Sequence, residues 1–209
     1  MNQGWPVVLQ HESITLRPLR MRDAPDWRMT RLVNREWLQP WEATTPGVAV
    51  DEVGRGYGAA VRALRRDARL GLSFPFVLLV DNQFAGQVTV GAIARGSANS
   101  AYLGYWIARP LAGRGIMPAA LALVVDHCFG EAGLHRVEAN IRPENVASRR
   151  VVEKLGFRLE GTRERYIHIA GDWRDHLSYA LTKEEVPDGL LARWMASSKG
   201  SIQQKADPS

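Results

Sequence analysis

Two short stretches carry residue types from which a binding or catalytic site could be made. Residues 107–120 read IARPLAGRGIMPAA and lie between the apolar runs AYLGYW and LALVVDHCF. Glycines at 113 and 115 permit positive φ and let the backbone come close to a ligand. Arg114 adds a mobile cation, and Pro118 suits the first turn of a helix, where its missing N–H removes no intrahelical bond. A strand, a glycine-rich turn and a helix N-terminus in that order form a general anion site. Unpaired amides and the positive end of the helix dipole then face the same way. In the second stretch, Asn145-Val-Ala-Ser148, a carboxamide and a hydroxyl sit one helical turn apart and share a face.

The loop alone leaves several assignments open. A dinucleotide fingerprint needs a third glycine where Pro118 stands and an acidic residue at the end of a second strand, whereas Glu138 falls inside the next strand. A P-loop needs a lysine after its last glycine, and none follows Gly115. A tight strand-to-helix turn that binds nothing also fits. His127 and Cys128 are adjacent on one helix, so their side chains diverge, and Cys128 is expected in the core. No spaced set of His, Cys and carboxylates suggests a metal.

The elements that must position these stretches follow from the apolar pattern. SITLRPL (13–19) alternates as an edge-like strand ending near a proline. Asp23-Ala-Pro25-Asp26 resembles a capped helix start, with Trp27, Leu32 and Val33 on its apolar side. From Val50 to Leu70, the residues Val53, Tyr57, Ala60, Val61, Leu64 and Ala68 recur at helical spacing. Residues 75–93 read as a hairpin about Asp81-Asn82-Gln83, 100–108 as a strand, and Pro118–Phe129 as an apolar helix. Residues 135–141 predict a short strand, Asn145–Leu155 a helix stopped by Gly156, and 157–169 with 173–181 a hairpin about Ala170-Gly171-Asp172. Antiparallel strands followed by strand–helix crossovers predict an α/β (α+β) layered domain with a mixed sheet. One domain over residues 1–196 and a polar, flexible tail over 197–209 are expected.

At 209 residues and 45% hydrophobic composition the chain can bury a substantial core. No run approaches the ~18 apolar residues of a membrane span, and MNQGWPVVLQHES lacks the pattern of a secretory signal. A single cysteine excludes an intramolecular disulfide framework. A cytoplasmic protein without a membrane partner is expected. The net charge of +5 is carried almost entirely by arginine, with only four lysines. No single-sign tract occurs, so direct nucleic-acid binding is not the preferred explanation of that charge.

The run Asn145-Val-Ala-Ser148-Arg-Arg-Val-Val-Glu-Lys154-Leu-Gly156-Phe157 resembles a signature of the GNAT superfamily of N-acetyltransferases, in which an Asn-x-x-Ser helix start leads to a Gly-Phe opening the next strand. The resemblance covers about Ile14 to Leu181. Leu103-Gly104-Tyr105, Gly113-x-Gly115-Ile116-Met117, His135-Arg136 and Trp173-Arg174-Asp175-His176 are most similar to its RimJ/RimL branch, whose members acetylate N-terminal residues of ribosomal proteins. The glycine loop then takes the place of the family's pyrophosphate loop, with Ala112 where Gln or Arg is usual and Met117 where Gly or Ala is usual.

The resemblance implies a mixed, largely antiparallel sheet, splayed in the middle and flanked by helices. It implies acetyl-CoA as donor, with Ala112, Gly113, Arg114, Gly115, Ile116 and Met117 around the pyrophosphate of the coenzyme A moiety. Trp106, Ile107 and Arg109 on the splayed strand, with Asn145 and Ser148, would meet the pantetheine arm, and Pro110 would end pairing there. An amide near Ile107 would serve the oxyanion, and Ser148 would donate to the departing sulfur. Glu164, His168, Asp175 and His176 are candidates for a base, and Asp175 alternates with Trp173, Leu177 and Tyr179 so as to point inward. Trp27, Trp37, Trp41 and Tyr57 would shape an acceptor groove or pack helices on the sheet. The expected acceptor is a protein N-terminus, possible partners being ribosomal proteins. The alternatives are a small-molecule amine N-acyltransferase, with acetyl or succinyl donor, and a non-catalytic module that binds ribosome or protein.

Overall fold

The computed structural model describes residues 4–47 and 57–206. Its centre is an eight-stranded sheet: β1 (Leu9–His11), β2 (Ile14–Pro18), β3 (Phe74–Val80), β4 (Gln83–Ala94), β5 (Ser100–Ile107), β6 (Arg136–Ile141), β7 (Arg158–Ile169) and β8 (Asp172–Thr182). The spatial order is β1-β2-β3-β4-β5-β6-β8-β7. The neighbours pair antiparallel except β5 and β6, which run parallel. The mixed sheet expected from the sequence is therefore present. β2 is not an edge, because β1 adds three residues beside it. Too short to show alternation, β1 left no signal in the sequence.

Helices α1 (Ala24–Val33), α2 (Arg35–Leu38) and α3 (Tyr57–Arg69) lie between β2 and β3 in the chain, with a 3-10 turn at Gln39–Trp41. Val50 and Val53, read with α3, fall outside the described residues. Contrary to the pattern, Leu32 and Val33 are 67% and 71% exposed. Only the Trp27 side of α1 packs, its ring 4.9 Å from Tyr57 in a small core with Leu19, Val61 and Val77.

Helix α4 (Ile116–Phe129) follows β5, α5 (Val146–Lys154) follows β6, and α6 (Leu190–Ala206) follows β8. Twelve of the 14 residues of α4 are buried. A helix apolar on every side needs cover on every side, and here the sheet covers one face and α6 the other. The Asp126 carboxylate on α4 accepts the Leu190 and Leu191 amides at 2.5 and 3.0 Å, capping α6 onto it. No local pattern marked α6 as a packed element, and Ser197, where a tail was expected to start, lies within it. α4 begins at Ile116, two residues before Pro118. Among the described residues no helix is long and apolar enough to cross a membrane.

Candidate active site

The sheet opens between β5 and β6. The two strands pair only from Ser100–Tyr102 to Arg136–Glu138 and then separate, while β5 stays paired to β4 as far as Ile107. Ala108 donates its amide to the Ala85 carbonyl at 2.8 Å. By strand alternation, Tyr105 and Ile107 then direct their amides and carbonyls away from β4, into the gap. The Trp37 indole fills one of these positions, donating to the Ile107 carbonyl at 3.1 Å. The Ile107 N–H is left facing the opening.

After β5 the chain makes a 3-10 turn at Arg109–Leu111 and enters the glycine loop. Gly113 and Gly115 have φ of 77° and 79°, and the first α4 bond runs from the Ala119 amide to the Gly115 carbonyl at 3.2 Å. Among the described residues no acceptor meets the amides of Gly113, Arg114, Gly115, Ile116 or Met117. A Cβ built on Gly113 would touch nothing within 4 Å, so the left-handed backbone, not crowding, calls for glycine there. Ile116 and Met117 bury their side chains in the core, which explains how a large residue is accommodated at 117. Five donors at the positive end of a rigid helix fit a diphosphate.

Three positions in the expected binding set differ from their assignment, and at Trp106 the backbone pairs with Gln87 on β4 instead of facing the gap. The Ala112 amide already donates to the Arg109 carbonyl at 3.1 Å, so Ala112 supplies apolar wall rather than a donor. The Arg109 amide donates to Asn34 Oδ1 at 2.8 Å, and the Arg109 side chain is exposed. Asn34 is buried at the C-terminal end of α1, with its Nδ2 donating to the Thr30 carbonyl at 2.8 Å. It thereby pins the end of β5. A lone Asn between two short helices gave no sign of this from a distance of 75 residues.

On the opposite wall Asn145 caps α5, its Oδ1 accepting the Ser148 amide at 3.1 Å. Its Nδ2 has no partner among the described residues. The Ser148 hydroxyl donates to the Tyr105 hydroxyl at 2.8 Å, and Tyr105 in turn donates to the Ser148 carbonyl at 3.2 Å. Burial pushes the Tyr105 phenol well above its ordinary pKa, against the smaller opposing effect of the Ser148 bond, so it stays protonated. Tyr105 was quoted in the sequence only as part of a family motif; the bond to Ser148 gives it a place in the site. The Gly-Phe pair that ends α5 has a structural cause. Gly156 has φ 75°, a Cβ there would come within 2.7 Å of the Arg193 guanidinium from α6, and Phe157 is buried.

Loop, splayed strand and α5 line one cavity of about 710 Å³. Trp106, Ile107, Ala112, Gly113, Gly115, Met117, Asn145 and Ser148 are on its wall; Arg109, Arg114 and Ile116 are not. Arg150 and Lys154 continue the α5 side, and Arg31, Trp37, Trp41, Glu42, Gln87 and Thr89 close the far end. The Trp27 indole donates to Gln87 Oε1 at 3.1 Å, so Trp27 braces this end from behind, while Tyr57 belongs to the smaller core.

None of the four base candidates reaches the cavity. Asp175 is exposed rather than inward-facing and accepts the Arg165 amide at 2.7 Å. Bulges on β7 between Leu159 and Gly161 and between Arg163 and Ile167 shift the β7–β8 register; the β8 face that buries Tyr179 and Leu181 is left uncovered toward Asp175 and Trp173. His176 is buried with its Nδ1 2.9 Å from the Arg174 carbonyl, and burial lowers its pKa. His168 Nδ1 is 2.7 Å from Thr44 Oγ1, and Glu164 is exposed. Cys128 lies in the core, where burial pushes its thiol up to about 12. Among the described residues no group of three or more His, Cys, Asp and Glu could hold a metal.

The GNAT acetyltransferase domain model matches residues 13–158. The chain is 32% identical over 178 residues to a probable N-acetyltransferase, YjcK, of Bacillus subtilis, covering 83% of this chain and 96% of that one. It is 31% identical over 190 residues to the ribosomal protein uS5 alanine N-acetyltransferase of Escherichia coli, covering 88% and 94%. Among solved structures, Mycobacterium smegmatis RimJ in complex with CoA-disulfide superposes with a TM-score of 0.88 at 42% identity, over 95% of this chain and 98% of that one. The chain belongs to the GNAT family of acetyltransferases, and it is an N-acetyltransferase that uses acetyl-CoA.

Proposed function

We propose that this enzyme acetylates the α-amine of a protein N-terminus, with ribosomal proteins as the acceptor class. The observation that carries the proposal is the continuity of one cavity from the glycine loop to an aromatic far end at Trp37 and Trp41. The far end lies beside the splayed strand, on the side away from the glycine loop. Similarity to an enzyme named for a ribosomal-protein alanine terminus supports this acceptor.

Bound acetyl-CoA supplies an activated acetyl thioester. In this assignment the amides of Gly113 to Met117 receive the pyrophosphate, with Arg114 free to approach from outside. The Tyr105 backbone, directed into the gap, and the Asn145 carboxamide meet the amides of the pantetheine arm, while Trp106, whose backbone pairs with β4, supplies wall. The Ile107 N–H, aimed into the gap, stabilises negative charge as it develops on the thioester oxygen. Ser148 donates the proton to the departing sulfur, and the buried, protonated Tyr105 phenol, which accepts from the Ser148 hydroxyl at 2.8 Å, positions that hydroxyl.

Proton demand on the acceptor is modest. An α-amine of pKa ~8 is about one-tenth neutral at pH 7, against roughly one molecule in 2,500 for a lysine at ~10.4. A terminal amine can therefore react without a strong base.

The test is to supply acetyl-CoA with peptides bearing N-terminal Ala or Ser, polyamines, and peptides with lysine as their single amine. Turnover on the terminal amines is expected. Turnover confined to polyamines or lysine side chains would reject the acceptor assigned here.

A further inference from the structure

We infer that Glu42 is the residue that receives and orients the acceptor amine, an inference that rests on the acceptor reading above. Glu42 is the single carboxylate among the described residues that line the cavity; the other charged side chains on that wall, Arg31, Arg150 and Lys154, are cations. An incoming amine is mostly ammonium near neutral pH. It needs an anion on the wall to offset the loss of water, and those cations repel it.

The placement of Glu42 is fixed from both sides. Its amide donates to the Gln39 carbonyl at 3.3 Å, closing the 3-10 turn, and the next residue, Ala43, bridges to Ile169 on β7. Its Oε1 lies 2.5 Å from the Arg31 guanidinium, and the two side chains keep 21% and 18% exposure. The Arg31 guanidinium lies 4.6 Å from the Trp27 ring centroid and 5.5 Å from that of Trp106, the residue before Ile107 on the splayed strand. Glu42 is thus tied through Arg31 to the strand that carries the assigned oxyanion donor. Its second oxygen, Oε2, accepts no hydrogen bond among the described residues and can accept from an N–H of the acceptor.

Arg31 also tempers the carboxylate. An isolated anion would hold the acceptor as ammonium, which cannot attack, whereas a neutral Arg–Glu pair accepts a hydrogen bond from the amine with less stabilisation of its charged form. The pair serves recognition of an amine without trapping it.

The experiment compares wild type with Glu42→Gln, Arg31→Met and the double variant. Calorimetry measures CoA-loaded protein against a peptide with a free N-terminal Ala and the same peptide N-acetylated, alongside KM and kcat. Wild type should prefer the free amine by at least about tenfold. Glu42→Gln should lose that preference and raise the acceptor KM about tenfold or more, with kcat changed less than about threefold and the thermal shift with CoA unchanged. Arg31→Met should lower both KM and kcat. The double variant, with its charges balanced, guards against a folding defect and should stay as impaired in KM as Glu42→Gln. Retention of the free-amine preference by Glu42→Gln, or wild-type KM in the double variant, would overturn the inference, since Glu42 would then only neutralise Arg31. If wild type acetylates a different amine alone, the acceptor reading fails separately, and the same comparison with that amine and its acetylated product decides the role of Glu42.

Discussion

The two ends of the cavity are built from different materials. At the donor end, five consecutive backbone amides stand at the head of α4, a helix with 12 of its 14 residues buried. At the acceptor end, side chains converge from α1, α2, the 3-10 turn that follows, and β4, and α1 has no buried residue at all. Backbone donors fixed to a core helix suit a diphosphate that is the same in every turnover. Side chains mounted on surface helices can be exchanged without disturbing the core, and they suit the partner that differs between relatives.

The sharpest way to break this contrast is to damage the donor end alone. Gly115→Val places a β-branched residue at φ 79°, a strain of about 1–2 kcal/mol. The nearest neighbour of a Cβ there is Trp194 at 3.6 Å, so strain and not a clash is responsible. The stabilisation of about 2.7 kcal/mol expected from coenzyme at 100 times its Kd should vanish from a thermal melt. Retention of that shift would mean that the loop amides do not hold the coenzyme.

A smaller effect tests the junction of the two ends. Ser148→Ala should lower kcat about 100-fold with coenzyme binding intact. Tyr105→Phe should cost less than about tenfold, because the Ser148 proton is then released from its bond to the phenol. Equal losses in the two variants would make Tyr105 the proton source and Ser148 its relay.

At the acceptor end, Trp37→Phe removes the indole bond to the Ile107 carbonyl and should destabilise by about 1 kcal/mol in urea melts. The acceptor KM should rise several-fold while coenzyme Kd stays within about twofold, and a change confined to coenzyme affinity would reverse the assignment of the two ends. The smallest effect is expected from Lys154→Met on the α5 wall: coenzyme Kd up about threefold at low salt, with the difference fading at high salt as charge is screened. A salt-independent change would point to packing instead.

The legible parts of the molecule follow the same division. The glycine loop, the Asn145 cap and the Gly156 stop were readable because each is a local backbone conformation demanded by its own residue. The acceptor wall was not. Glu42 and Arg31 are 11 residues apart on elements with weak patterns, and their meeting depends on the fold. Asp175 misled for a related reason: it does share a strand face with the buried Tyr179, but nothing covers that face toward Trp173, and cover is a property of the fold. The exposed Leu32 and Val33 show the same limit for helical spacing on an element that the core does not cover.

By itself the sequence determined the order of β2 to β8 with α1, α3, α4 and α5 between them, the glycine turn whose amides stand bare, and the family, because turn residues, caps and apolar period act over a few positions. Tertiary structure decided which amides were already taken, as at Arg109 and Ala112, and brought Tyr105 to Ser148 and Glu42 to Arg31. These outcomes depend on where β5 leaves β6 and on which distant side chains reach the gap, and a chain read residue by residue carries no distances across that gap.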